Sequence, residues 1–141
     1  MSEVDHPAHY NSHPSGIECI DVVEDLPFNI GNAVKYLYRR EKKGSDAIVD
    51  LEKSRWYADR ELARVSVSER RSIVLNAALA SRMLRVIAHE PNDHVRIAMG
   101  LLFAAAFDTM REEQQAHLSQ ACRAIELEVE GLSALKPRRT R

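Results

Sequence analysis

Apolar residues recur along this chain at helical spacing, not in strand-like alternation. Ile30, Ala33, Val34 and Leu37 fall at i, i+3, i+4 and i+7, one face of a helix. That helix is expected from about Asn29 to Lys43. Gly44 suits the left-handed residue that closes a helix, and Lys42 and Lys43 favour the negative end of its dipole. Ser45 is a good N-cap for a second helix, to about Arg64, with Ile48, Leu51, Ala58 and Leu62 as its apolar stripe. So short a connection predicts an antiparallel αα-hairpin. Ahead of it, residues 1–16 have loop composition, and Ile17 to about Leu26 reads as a short helix ended by Pro27.

Beyond Arg64 the pattern predicts three more helices. One runs from about Glu69 to His89, capped by Ser68, and one from about Asp93 to Glu113. Val74, Leu75, Leu79, Met83, Leu84, Val86 and Ile87 wrap the first, and the run Leu101 to Phe107 wraps the second. Helices apolar nearly all round are buried, either centrally in one chain or between subunits. So broad an apolar surface in so short a chain predicts a homo-oligomer, the alternative being a monomeric bundle that buries both faces itself. The last helix, about Gln114 to Leu132, is amphipathic through Leu118, Ala121, Cys122, Ile125, Val129 and Leu132. Whether it continues the helix before it is left open by the pattern. The fold expected is all-α: an N-terminal αα-hairpin module over residues 1–64, a helical scaffold over 65–135, and a basic tail over 136–141.

Size and charge narrow the function. With 141 residues the chain is long enough for a real core, and its formal charge of −1 argues against nucleic acid as partner, duplex DNA above all. No run of about 18 apolar residues offers a membrane span. Cys19 and Cys122 form no CxxC and sit in apolar helical patterns, so both are expected reduced and buried, in a cytoplasmic protein. There is no P-loop, no dinucleotide fingerprint, no zinc-deaminase signature and no nucleophile elbow.

Three constellations remain. Asn32, Lys35, Tyr36, Arg39 and Lys43 share one side of the first hairpin helix, and Asp50, Lys53, Tyr57, Arg60 and Glu61 repeat the rhythm on the second. Facing a common groove, these stripes would offer Lys and Arg to phosphate and Tyr to a base; the alternative is a solvated face of ion pairs. Glu18, Asp21 and Glu24 recur three apart, and with Asp50 they are candidate ligands for Mg²⁺. Small all-α nucleotide pyrophosphohydrolases use such an acidic helix pair, though their double-Glu pattern is absent here. Otherwise the acids satisfy a helix dipole. Third, His6, His9 and His13 suggest zinc ligation or, for His6 or His9, closure over the groove by hydrogen bonding.

The order of motifs is particular: His6-Pro7-x-His9-Tyr10, Gly16-Ile17-Glu18-x-Ile20-Asp21-Val22-Val23-Glu24, Gly31-Asn32-Ala33-x-Lys35-Tyr36-Leu37-x-Arg39, Lys42-Lys43-Gly44, and Asp50-Leu51-x-Lys53-x-x-Trp56-Tyr57-x-x-Arg60-Glu61. Residues 5–62 thereby resemble a family of small bacteriophage proteins of unknown function. One branch of that family is a nucleotide kinase without a P-loop that phosphorylates deoxynucleoside monophosphates. The resemblance implies a nucleotide ligand and a cytoplasmic role in the infected host. The chain departs from the family pattern at Arg40 and Glu41, where a small residue and Gly are common.

The function expected is therefore phosphoryl transfer from a nucleoside triphosphate to a deoxynucleoside monophosphate. Lys35, Arg39, Lys43, Lys53 and Arg60 would hold phosphates. Asp21, Glu24 or Asp50 would hold Mg²⁺. Tyr10, Tyr36 or Tyr57 would stack on the base, Asn32 would read base or sugar, and His6 or His9 would close the site. The alternatives are non-catalytic sequestration of a host signalling nucleotide and pyrophosphohydrolysis. A third is docking of the basic tail on nucleic acid.

Overall fold

The computed structural model describes residues 13–40, 47–67 and 73–135. Within them the chain is all-α, as its periodicity predicts, with no strand. The helices are α1 (Ile20–Val23), α2 (Phe28–Arg39), α3 (Ala47–Val67), α4 (Ala77–His89), α5 (Asp93–Phe107) and α6 (Arg111–Leu135). None among the described residues is long and apolar enough to cross a membrane.

Helices α2, α3, α6 and α5 form a ring in which each packs on the next. Asn29 meets Glu61, Ala33 meets Ser54 and Arg39 meets Asp50, so α2 and α3 are antiparallel, as the hairpin reading predicts. Ser66 meets Gln115 and Asp59 meets Cys122, which makes α3 and α6 antiparallel too. Helices α5 and α6 turn back on each other, with Asp108 bonded to His117 at one end and Asn92 to Glu128 at the other. The result is an up-down-down-up four-helix bundle. Helix α4 lies on α5, and α1 packs against α4 and α2.

The predicted stripes are the core. Ile30, Ala33, Val34 and Leu37 of α2 are fully buried, as are Leu51 and Ala58 of α3 and Leu118 and Ala121 of α6. Burial pushes the Cys19 and Cys122 thiols up to about 12 each. Gly31 lets α1 and α2 approach closely, since a Cβ there would stand 3.2 Å from the Val23 carbonyl oxygen.

The inner face of α3 is more polar than its apolar stripe suggests. Asp50, Ser54 and Glu61 are all buried there, beside Ala58 and Val65. Ser54 and Glu61 hydrogen-bond to α2, and Asp50 forms an ion pair with it. Asp50 Oδ1 lies 3.5 Å from Arg39 Nε. Ser54 Oγ donates to the Ala33 carbonyl at 2.7 Å. Glu61 accepts from Asn29 Nδ2 at 2.9 Å and, on its own helix, from Arg64 at 2.9 Å through each carboxylate oxygen. The expectation that Asp50 and Glu61 face an open groove is therefore corrected. They share a helical face with Ala58, and that face is turned to α2.

Several boundaries also move. Helix α2 ends at Arg39, because Arg40 has left helical geometry at ψ 136°. Residues 41–46, with the Gly44 and Ser45 caps, lie outside the described residues, as do Ser68 and the tail 136–141. The helix expected from Glu69 starts at Ala77, where Asn76 accepts from the Leu79 N–H at 2.8 Å. Ile73 instead donates its N–H to the Ala106 carbonyl at 2.9 Å, which pins an extended lead-in to α5. Helix α4 is apolar on one side only: Leu79, Met83 and Val86 are buried, while Leu84 is exposed. The helix expected to reach Glu113 stops at Phe107. Asp108 turns out of helical geometry and accepts from His117 at 2.7 Å, and Gln114 Nε2 donates to the Ala105 carbonyl at 2.8 Å.

A buried polar cluster ties the N-terminal segment down. Gly16, at φ 75°, closes a turn on the His13 carbonyl. The Ser15 N–H points at His13 Nδ1 from 3.1 Å, so that nitrogen is an acceptor, and Nε2–H donates to Glu90 Oε1 at 3.2 Å. Arg40 Nη2 and the Asn92 N–H donate to Glu90 Oε2 at 2.7 and 2.8 Å. Burial alone would raise the Glu90 pKa, but the hydrogen bonds from His13, Arg40 and Asn92 together hold it at about 2.

Candidate functional site

Four aromatic rings gather on the outer side of the α2–α3 hairpin. Tyr36 and Tyr57 lie nearly parallel, with planes 13° apart and centroids at 5.9 Å. Trp56 meets Tyr57 edge-on at 5.0 Å, and Phe28 does so at 6.2 Å. They sit here because Tyr36 and Tyr57 flank the polar ladder, on the rims of the two helices and not on their core stripes. Trp56 and Phe28 lie farther out and are 56% and 65% exposed.

Cations surround the rings. Lys35 Nζ and Lys53 Nζ lie 4.7 and 5.5 Å from the Tyr36 centroid, and the Arg39 guanidinium lies at 5.4 Å. The Arg60 guanidinium lies 5.6 Å from the Trp56 ring. A ring quadrupole holds a cation in place without neutralising it. Lys35 and Lys53 therefore remain able to attract an anion.

Two concavities adjoin this cluster. The larger, roughly 780 Å³, runs along the outer face of α3 between Phe28, Asn29, Trp56, Arg60 and Arg64. The smaller, roughly 210 Å³, lies between α1 and α2 and is lined by Glu24, Phe28, Asn32 and Lys35. Asn32 Nδ2 donates to the Phe28 carbonyl at 2.9 Å, which fixes its amide at the rim. Glu61 does the same for the larger concavity, since its partners Asn29 and Arg64 both line it.

The structure thus brings together Asn32, Lys35, Tyr36, Lys53 and Tyr57, with Arg60 at the far end of the row. Two expected members are placed elsewhere. Arg39 is buried against Asp50, and Asp50 is 1% exposed, so neither presents itself to a ligand on the open face. Glu18, Asp21 and Glu24 belong to the α1 region, and among the described residues no three His, Cys, Asp or Glu side chains are grouped to hold a metal ion. His6, His9, Tyr10 and Lys43 lie outside the described residues. His13 has both ring nitrogens engaged, by Ser15 and Glu90, and is 6% exposed, so zinc ligation would cost it those bonds. The Ser15–His13–Glu90 chain has the order of a nucleophile triad, but Ser15 is 1% exposed and no substrate reaches its hydroxyl.

Sequence reasoning missed Phe28, Trp56, Asn29 and Arg64. A signal existed for the first two. Phe28 stands off the stripe of Ile30, Ala33, Val34 and Leu37, and Trp56 off that of Leu51 and Ala58. A large aromatic off the apolar stripe of its helix is left facing water.

The model of a family described as a protein of unknown function, DUF3310, matches residues 4–59. The match ends within α3, so it spans the segment that carries the ring cluster. No curated protein matches the chain. No solved structure matches it. Arg40 reaches out of the matched stretch to pair with Glu90 and so couples the matched segment to the helices that follow.

Proposed function

We propose that the outer face of the α2–α3 hairpin binds a nucleotide, in the cytoplasm of a phage-infected host, and serves phosphoryl transfer from a nucleoside triphosphate to a deoxynucleoside monophosphate. The observation that carries this reading is the ring cluster with cations at both ends: Lys35 and Lys53 beside Tyr36, and Arg60 beside Trp56. Trp56 offers the exposed ring on which a base stacks. Lys35, Lys53 and Arg60 take the phosphates, a role that Arg39 yields because it is committed to Asp50. Phosphoryl transfer needs mainly positioning and charge stabilisation, which such a row of cations supplies. Of the carboxylates expected to hold magnesium, Glu24 shares a concavity with Lys35, and an ion there would draw its other ligands from phosphate and water.

A second reading, sequestration of a nucleotide without turnover, uses the same rings and cations. The burial of Asp50 against Arg39 favours it, because that carboxylate is withdrawn from a metal site. Trp56 is the chain's one tryptophan, so its fluorescence reports binding directly. Titration with deoxynucleoside monophosphates should change that emission. Lys35→Ala and Lys53→Ala should each weaken binding about tenfold, the loss of one charge-assisted contact, with an unchanged circular dichroism spectrum. Unchanged affinity in both variants would overturn the site. Chromatography of the pool after incubation with triphosphate and Mg²⁺ separates the two readings: new diphosphates mean transfer, and bound but unaltered nucleotides mean sequestration.

A further inference from the structure

Helix α5 is apolar on the side that the bundle does not cover. Ala98, Met99, Leu102 and Phe103 are buried inward. Ile97, Gly100, Leu101 and Ala104 fall at i, i+3, i+4 and i+7 on the outer face. Ile97 is 51% exposed and the other three are half-buried. Between Arg96 and Asp108 the helix carries no charged residue. Helix α4 borders this face. Its Ile87 Cδ1 lies 3.9 Å from where a Cβ on Gly100 would stand, and Leu84 beside it is 66% exposed. The opposite flank of α4 is occupied, since Arg82 and Arg85 donate to the Asp21 and Ser15 carbonyls. Gly100 itself has no reason within the chain. A methyl there would meet only Ile87, at ordinary contact distance. Glycine is the poorer choice in a helix interior unless another backbone must come close.

We infer that a second copy of this chain covers the face, with α5 antiparallel to α5 about a two-fold axis between Gly100 and Leu101. In that register Ile97 of each chain stands opposite Ala104 of the other, and Leu101 opposite Gly100. Each large side chain meets a small one. A shift that sets Leu101 on Leu101 loses the match. The same axis keeps α4 on one side of the contact in both chains, so Leu84 and Ile87 meet apolar residues of the other α4. A face that is complementary to itself closes as a pair. Being uncharged, it carries no pattern by which to select a charged partner instead. Helix α5 stands diagonally across the ring from α3, so the outer face of the α2–α3 hairpin stays open in the pair. The inference is independent of the nucleotide reading.

The test is light scattering after size exclusion, on the full chain over a range of micromolar concentrations. The wild type should show the mass of two chains. Ile97→Lys and Leu84→Lys change side chains that are more than half exposed, so both should keep the circular dichroism spectrum and weaken association tenfold or more. Gly100→Leu should do the same by holding the helices apart. Val67→Lys, at an 85% exposed apolar position at the end of α3, should leave the pair intact. A wild type that is monomeric throughout overturns the inference. So does a pair that survives Ile97→Lys and Leu84→Lys, because the contact then lies elsewhere. Dissociation by Val67→Lys as readily as by Leu84→Lys also overturns it, since the association would then not be specific to this face. If Gly100→Leu loses its fold, the two lysine variants decide.

Discussion

The Glu90 carboxylate offers the sharpest quantitative test of how this fold is held. Its side chain is fully buried in the turn between α4 and α5. It receives hydrogen bonds from His13 at 3.2 Å, Arg40 at 2.7 Å and the Asn92 N–H at 2.8 Å. These partners come from the N-terminal segment, the end of α2 and the start of α5. They hold the Glu90 pKa at about 2 against an ordinary 4.5, a difference of about 3 kcal/mol. A folded-state pKa below the unfolded value means that the folded protein resists protonation. The stabilisation is therefore complete above about pH 4.5 and is lost as pH falls from there toward about 2. Glu90→Gln removes the charge and leaves Arg40 facing a neutral amide. Urea unfolding followed by circular dichroism should show the variant less stable by about 3 kcal/mol at pH 7. The gap should narrow steadily between pH 4.5 and pH 3, where the unfolded wild-type chain takes up a proton on Glu90 that the folded protein does not. Other acids titrate in the same range in both proteins, so the difference between them isolates Glu90. A gap that stays constant with pH would refute the reasoning, because the loss would then come from packing and not from charge.

Two further consequences are open to measurement. Asp50→Ala strands Arg39 against a buried cavity and should cost about 3 to 5 kcal/mol in urea unfolding, whereas the paired change Asp50→Leu with Arg39→Met should cost markedly less; an equal cost for both would show that the pair acts only through its volume. Gly31→Ala brings a methyl within 3.2 Å of the Val23 carbonyl oxygen, so the protein should lose about 1 to 3 kcal/mol as α1 is pushed from α2, and an unchanged unfolding midpoint would contradict the close approach.

Part of this molecule is legible in the sequence because local chemistry and global packing agree there. The i, i+3, i+4, i+7 stripe of α2 is its buried face, and Leu118, Ala121, Cys122 and Ile125 are that of α6. Asn92 caps α5 by accepting from the Val95 N–H at 3.0 Å. The candidate site is legible to the same depth. Spacing alone places Lys35 and Tyr36 on one rim and Lys53 and Tyr57 on the other, and the antiparallel hairpin brings the rims together.

Only the tertiary structure decided which polar residues look outward. Asp50 and Glu61 fit the rhythm of the groove residues, yet they stand at inward positions with Ser54, Ala58 and Val65. A 3.6-residue period fixes relative faces and not which face meets a neighbour, and the apolar stripe of α3 is too sparse to settle the matter. What settles it is the supply of partners on α2: the Arg39 guanidinium, the Ala33 carbonyl and the Asn29 amide. The same holds for His13 and Glu90, which are 77 residues apart and meet through contacts that no local pattern encodes. Local sequence sets the helices and their stripes, because backbone propensity and hydrophobic period act over a few residues. The burial of a charge is decided by where its partners lie, and Asp50, Glu61 and Glu90 each have one on another segment of the chain.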